Sequence, residues 1–228
     1  MFLKVFLVSC LAVGVLSDLI VTDAQREQFK QVIKETCKRN GAEEKSDDIE
    51  NSIKGFVDCI KGLINIETVK KEIEEAKPNG ALDEVFKKYC AKSPELKTCI
   101  NSLADGVTPC LETAIRENID NGKKSVDQLV DFVCYKDGDR IALFIAEGGP
   151  ECFQEKSGAI RECANKAKEG INSLESFKKL TRDEQCGKFD NLAACVVKAL
   201  EECSTPTPGN MAESLFRYVK NGSPCKKI

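Results

Sequence analysis

The sequence predicts an all-α, disulfide-rich protein built from two tandem six-cysteine helical units. Three observations carry this expectation. Apolar residues recur at helical spacing almost throughout, no stretch keeps a strand-like alternation, and twelve cysteines behind an N-terminal leader fall into two similarly spaced sets.

The leader comes first. Met1 to Lys4 is a short basic start, Val5 to Leu16 is an apolar run, and Val15-Leu16-Ser17 suits cleavage ahead of Asp18. Residues 1–17 therefore read as a signal peptide. The run is shorter than the roughly 20 residues that cross a bilayer. No second run of spanning length follows, so a membrane anchor is not expected. Cleavage discards Cys10 and leaves Cys37, Cys59, Cys90, Cys99, Cys110, Cys134, Cys152, Cys163, Cys186, Cys195, Cys203 and Cys225. An even count in an exported chain reads as a framework of up to six bridges. The chain has no histidine and no Cys-x-x-Cys pair, so the usual zinc spacings are missing.

The helices follow in order. Thr22-Asp23-Ala24-Gln25 reads as a capping box ahead of Phe29, Val32, Ile33 and Cys37, and Asn40-Gly41 ends that run. Ser46-Asp47 opens a helix whose stripe is Ile49, Ile53, Phe56, Val57, Ile60 and Ile64. Val69, Ile73 and Ala76 mark a short charged helix closed by Pro78-Asn79-Gly80, and Leu82, Val85, Phe86, Tyr89 and Cys90 form the next. Ser93-Pro94 and Thr108-Pro109 each place a cap before a proline in the first turn. Leu96, Cys99, Ile100 and Leu103 follow the first; Leu111, Ala114, Ile115 and Ile119 follow the second, with Asn121-Gly122 as its expected end. Val126, Leu129, Val130 and Val133 carry another helix. Gly148-Gly149-Pro150 breaks the chain, and a helical stretch softened at Gly158 and Gly170 runs from Glu151 to Lys179. Thr181-Arg182-Asp183-Glu184 is a second capping box, before a face of Leu192, Cys195, Val196, Ala199 and Leu200. Residues 205–209 read as a Pro-rich loop, and Met211, Leu215, Phe216 and Val219 form the last helix.

The cysteine steps are 22, 31, 9, 11 and 24 in the first set and 11, 23, 9, 8 and 22 in the second. Each set has a long gap, a nine-residue step, another short step (11 in the first, 8 in the second) and a closing gap above twenty. The text agrees around the nine-residue step, where Tyr89-Cys90 to Cys99-Ile100 answers Gln185-Cys186 to Cys195-Val196. The expected organisation is therefore a first unit over 18–147 and a second over 148–228. The pairing stays open, because six cysteines per unit allow 15 connectivities.

Composition removes much of catalysis. Without histidine there is no Ser-His or Cys-His dyad and no histidine base. Cysteines held in bridges are not nucleophiles. Carboxylate pairs such as Glu43-Glu44, Asp47-Asp48, Glu74-Glu75 and Glu201-Glu202 fall at helix starts or on charged faces, where dipole and solvation account for them. Gly148-Gly149-Pro150 lacks the lysine of a phosphate loop, and Asp137-Gly138-Asp139 is followed by Ile141, Leu143 and Ile145 where calcium ligands should stand. No cofactor or metal is expected. The processed chain of 211 residues carries a formal charge of −4, since the whole-chain −3 loses only Lys4. Its charges are interspersed, which argues against nucleic acid. Asn221-Gly222-Ser223 is the one N-glycosylation acceptor, with Pro224 directly after it working against its use. Apolar stripes between helices make a small apolar ligand the candidate partner, although the same stripes fill an ordinary core.

The export leader, the twelve cysteines, the Cys90-x8-Cys99 and Cys186-x8-Cys195 steps and the repeated helical halves resemble the insect 27 kDa haemolymph glycoprotein family. The resemblance implies secretion into haemolymph and carries no catalytic signature. Insect odorant-binding proteins have second and third cysteines three residues apart, and saposin-like proteins begin with a close cysteine pair; neither occurs here. Small secreted phospholipases need a histidine–aspartate pair that the chain lacks. The expected protein is thus a non-enzymatic, secreted, extracellular haemolymph protein that carries a small apolar ligand, or alternatively a structural, storage or defence-associated protein acting through its surface.

Overall fold

A computed structural model describes residues 23–171 and 174–226, with the side chains of 23–26 and 174–175 outside the description. The signal peptide over 1–17 and the capping box at Thr22–Gln25 lie outside the described residues. The described residues form thirteen α-helices joined by short turns and 3-10 segments, and none of them is in a strand. The all-α, disulfide-rich class is correct.

By packing, the chain forms two compact units. Of the described residues, one takes those through Lys71 together with Pro94–Val126, and the other takes Glu72–Ser93 together with those from Asp127 onward.

In the first unit, α1 (Asp23–Arg39) ends at Asn40-Gly41, where Gly41 turns the chain with φ +71°. A 3-10 turn over Glu43–Lys45 leads into α2 (Ser46–Leu63). Ile33, Cys37, Ala42, Ile49 and Cys110 form the core, with Phe29, Ile53 and Val107 packed on it. The Asn40 amide donates to the carbonyls of Thr36 (3.0 Å) and Cys110 (2.8 Å), which fastens the end of α1 to the Cys110 turn. Helix α3 (Ile66–Ala76) begins in this unit, and α5 (Ser93–Val107) crosses α2 closely at Gly106. A Cβ on Gly106 would lie 2.2 Å from Ser52 Oγ. Val32 departs from its expected place in the stripe and is exposed.

Two expectations fail around Thr108. A helix was expected directly behind Thr108-Pro109, but residues Thr108–Cys110 form a 3-10 turn and only the four-residue α6 (Thr113–Arg116) follows. The Thr108 hydroxyl donates back to Ala104 O at 2.6 Å, so it closes α5 instead of capping a new helix. Asn121-Gly122 is not a stop either: α7 (Ile119–Val133) runs through it. A Cβ at Gly122 would meet nothing within 4 Å, so the glycine sits in an unobstructed helical position.

In the second unit, α4 (Leu82–Cys90) packs against α8 (Asp139–Ala146) through Ala76, Leu82, Phe86 and Ala142, with Ile73, Val85, Ile141 and Ile145 around them. The stretch expected from Glu151 to Lys179 is three helices: α9 (Gly149–Glu155), α10 (Ser157–Lys168) and α11 (Leu174–Lys178). Gly148, with φ +70°, turns the chain into α9, and Gly170, with φ +77°, turns it after α10. Gly158 lies inside α10 and does not interrupt it. Helix α12 (Arg182–Leu200) opens with the expected capping box: Thr181 Oγ1 accepts from Glu184 N, and the Glu184 carboxylate accepts from Thr181 N at 2.7 Å. Helix α13 (Thr207–Asn221) starts inside the expected Pro-rich loop, because Pro208 is tolerated where a helix has no N–H partner to lose. Cys152, Cys163, Val196, Leu200 and Ala212 form the core of α9, α10, α12 and α13.

Candidate functional site

All twelve expected cysteines are paired. The first six form Cys37–Cys110, Cys59–Cys99 and Cys90–Cys134, and the last six form Cys152–Cys203, Cys163–Cys195 and Cys186–Cys225. Their Cα separations run from 4.3 to 6.0 Å, all below the roughly 7 Å beyond which a bridge cannot close. Counted in chain order, both sets join first to fifth, second to fourth and third to sixth. The nine-residue step is built differently in each set. Cys186 and Cys195 lie on one helix, α12, whereas Cys90 ends α4 and Cys99 lies on α5, across the turn at residues 91–92. Asn221 is the last residue of α13 and is exposed. The hydroxyl of Ser223, two residues on, donates to Lys220 O and accepts from Cys225 N, inside the turn that leads to the last bridge.

Sequence reasoning missed the most distinctive surface, which belongs to the second unit. Behind Cys134, Lys136 and Asp137 hold left-handed backbone (φ 49° and 59°) and Gly138 follows at φ 98°. This turn brings Arg140 back over the end of α7. Its guanidinium lies 4.2 Å from the Phe132 ring centre and 4.1 Å from that of Tyr135, and Nη1 donates to Phe132 O at 3.1 Å. Phe132 is buried beneath the stack, and Tyr218 of α13 lies against it with ring centres 5.5 Å apart. Leu129 sits one helical turn before Phe132, and Leu143 one turn after Arg140. Tyr135, Leu143, Leu129 and Tyr218 are 48%, 53%, 44% and 37% exposed, so this face offers large apolar side chains to solvent around a cation. Aromatic residues and arginine are the side chains that protein interfaces favour. The only sequence signal was the presence of Phe132 and Tyr135 close to Cys134, outside the helical stripe of Val126, Leu129, Val130 and Val133.

Two ionisable clusters are structural in character. Glu72 accepts from Lys88 Nζ at 2.5 Å and from Tyr89 OH at 2.8 Å, and these bonds hold its carboxyl below the usual range. Lys88 is raised by the same bond, and Tyr89 is raised by burial first and by Glu72 second. Glu184 is lowered by the backbone and hydroxyl of Thr181 in the capping box. Both shifted carboxyls are thus held ionised, the reverse of what a general acid needs. Among the described residues no group of three or more His, Cys, Asp or Glu side chains could hold a metal ion, and no helix is long and apolar enough to cross a membrane.

Residues 23–225 match a family described as "Protein of unknown function (DUF1397)". A "27 kDa hemolymph protein" of Galleria mellonella is 62% identical over 227 residues, covering 98% of this chain and 96% of that one. The chain belongs to the 27 kDa haemolymph protein family. A "27 kDa hemolymph glycoprotein" of Manduca sexta is 48% identical over 97% of the chain and 96% of its own length. A "27 kDa glycoprotein" of Bombyx mori is 50% identical over 97% and 95%. No solved structure matches. As a family member the protein is secreted and extracellular, a haemolymph protein, and the names of these relatives include no enzyme.

Proposed function

We propose that this family member is a non-catalytic extracellular binding protein that engages a protein partner through the aromatic–arginine face of its second unit. The Tyr135–Arg140–Phe132 stack carries the reading. Arg140 is already ordered between two rings, so a partner need not immobilise it, and flanking Leu129, Leu143 and Tyr218 supply apolar area. Six bridges suit such a role, because they hold a helical scaffold rigid in an extracellular fluid. The absence of catalysis is supported by a chain without histidine and by cysteines consumed in bridges.

The expected partner is a protein, not a solute. A second reading, carriage of a small apolar molecule, draws on the same exposed leucines and tyrosines. One experiment separates them. The secreted protein and its Tyr135→Ser/Tyr218→Ser variant are incubated with cell-free haemolymph, recovered, and compared by crosslinking and native mass spectrometry. The proposal expects a defined protein partner crosslinked to the face, lost in the variant while the helical circular dichroism is unchanged. A partner retained by the variant contradicts it. A small apolar mass released only on denaturation replaces it with the carrier reading.

A further inference from the structure

The six bridges decide what a single backbone cut can do. Cys37–Cys110 and Cys90–Cys134 overlap, so every peptide bond from residue 37 to residue 134 is spanned by a bridge. Cys152–Cys203 and Cys186–Cys225 span every bond from 152 to 225 in the same way. A cut inside either set leaves its products covalently joined. Between the sets, the segment 135–151 is spanned by no bridge.

That segment contains two cationic residues, Lys136 and Arg140. Arg140 lies in α8, stacked between two rings with its guanidinium bonded to Phe132 O, so presenting it to a protease means unwinding the helix and breaking the stack. Lys136 is different. It is exposed, precedes α8, and holds φ 49° and ψ 55°, with Asp137 at φ 59° behind it. Two successive non-glycine residues in the left-handed region are strained, and the extended backbone that a protease cleft requires relieves that strain. Asp137 is drawn aside by Lys87 at 3.6 Å, which tempers the acidic charge next to the bond.

We propose that the Lys136–Asp137 bond is a processing site for a trypsin-class serine protease, and that its hydrolysis converts the protein into a two-chain form with no disulfide between the chains. One water is consumed: the amide C–N bond breaks, Lys136 gains a carboxylate and Asp137 gains an α-ammonium group. Each product keeps three bridges in the same first-to-fifth, second-to-fourth, third-to-sixth order. The products remain associated under native conditions, because Leu82 and Phe86 on one chain share a core with Ile141, Ala142 and Ile145 on the other. Tyr135 and Arg140 fall on opposite sides of the cut, so cleavage also unfastens the aromatic face. The inference does not depend on what that face binds.

The test uses the full secreted protein and brief exposure to trypsin. Electrophoresis in detergent without reductant reads the location of the cut directly. The expected result is conversion of one band into two, the shorter chain beginning Asp137-Gly138-Asp139, with a native mass spectrum still at the intact mass plus one water. The surface variant Lys136→Gln should lose the two-band pattern. An unreduced band that stays whole, whether fragments appear on reduction or not, overturns the proposal. So does a Lys136→Gln protein cut as fast as the parent.

Discussion

Removing the Cys37–Cys110 bridge gives the sharpest energetic prediction. Both sulfurs are buried, with Cys37 at 0% and Cys110 at 3% exposure, and the residues are 73 apart in sequence. Taken alone, closing such a loop removes unfolded-chain entropy that raises the free energy of the unfolded state by about 4.4 kcal/mol at room temperature. The bridge does not act alone, however. Cys59–Cys99 already short-circuits 40 of those residues, so the loop that Cys37–Cys110 actually closes is roughly 33 residues and its contribution falls to about 3.7 kcal/mol. Losing two buried sulfurs acts in the same direction. The Cys37→Ala/Cys110→Ala protein should therefore melt about 7–15 °C lower, using about 2–4 °C per kcal/mol for a chain of this size. Thermal circular dichroism, with mass spectrometry showing the other five bridges intact, makes the measurement. The same bypass argument for Cys152–Cys203, shortened by Cys163–Cys195, gives about 3.2 kcal/mol. A melting point lowered by less than about 3 °C in the first variant would refute the loop-closure reasoning.

Other perturbations test single contacts. Leu200 is fully buried in the α12 core, so Leu200→Ala should cost about 2–5 kcal/mol in urea unfolding. Gly138→Ala combines φ +98° with a Cβ 2.7 Å from Phe86 Cβ and 3.2 Å from its carbonyl carbon. Strain of about 1–2 kcal/mol and overpacking of about 1–3 kcal/mol together predict a loss of about 2–5 kcal/mol by the same assay. Thr181→Ala removes half of the capping box and should cost about 1 kcal/mol. The pH dependence has a defined sign. Glu72 and Glu184 titrate lower in the folded than in the unfolded chain, so their stabilisation is present above the unfolded carboxylate pKa and is lost as pH falls through the folded one. Acid titration followed by circular dichroism should show a shallower loss for Glu72→Gln than for the parent.

What could be read from the sequence follows from which forces are local. Helical periodicity and capping chemistry act within a few residues, so the Ser46 start, the Thr181 capping box and the ends at Gly41 and Gly80 were visible. Export and cysteine parity likewise pointed to bridges. Local signals misled where tertiary contacts compete. Thr108 bonds backward to Ala104 instead of forward, and Asn121-Gly122 continues a helix although it carries turn residues. The pairing of the bridges was illegible because it is a long-range choice among many. The aromatic–arginine face was missed for a related reason. Phe132, Tyr135 and Tyr218 stand outside the apolar stripes read from the sequence, and only the left-handed turn at Lys136–Gly138 folds Arg140 onto two of them. Packing also drew its boundaries through α3, α5 and α7, where no change of composition marks them.

The covalent frame of six bridges holds the helices together, and disulfide mapping of the unreduced secreted protein tests it most directly. Peptic digestion at low pH, where bridges do not exchange, followed by tandem mass spectrometry identifies each linked pair. The expected pairs are Cys37–Cys110, Cys59–Cys99 and Cys90–Cys134 in one set and Cys152–Cys203, Cys163–Cys195 and Cys186–Cys225 in the other. A single peptide linking a cysteine at or before Cys134 to one at or after Cys152 would contradict it.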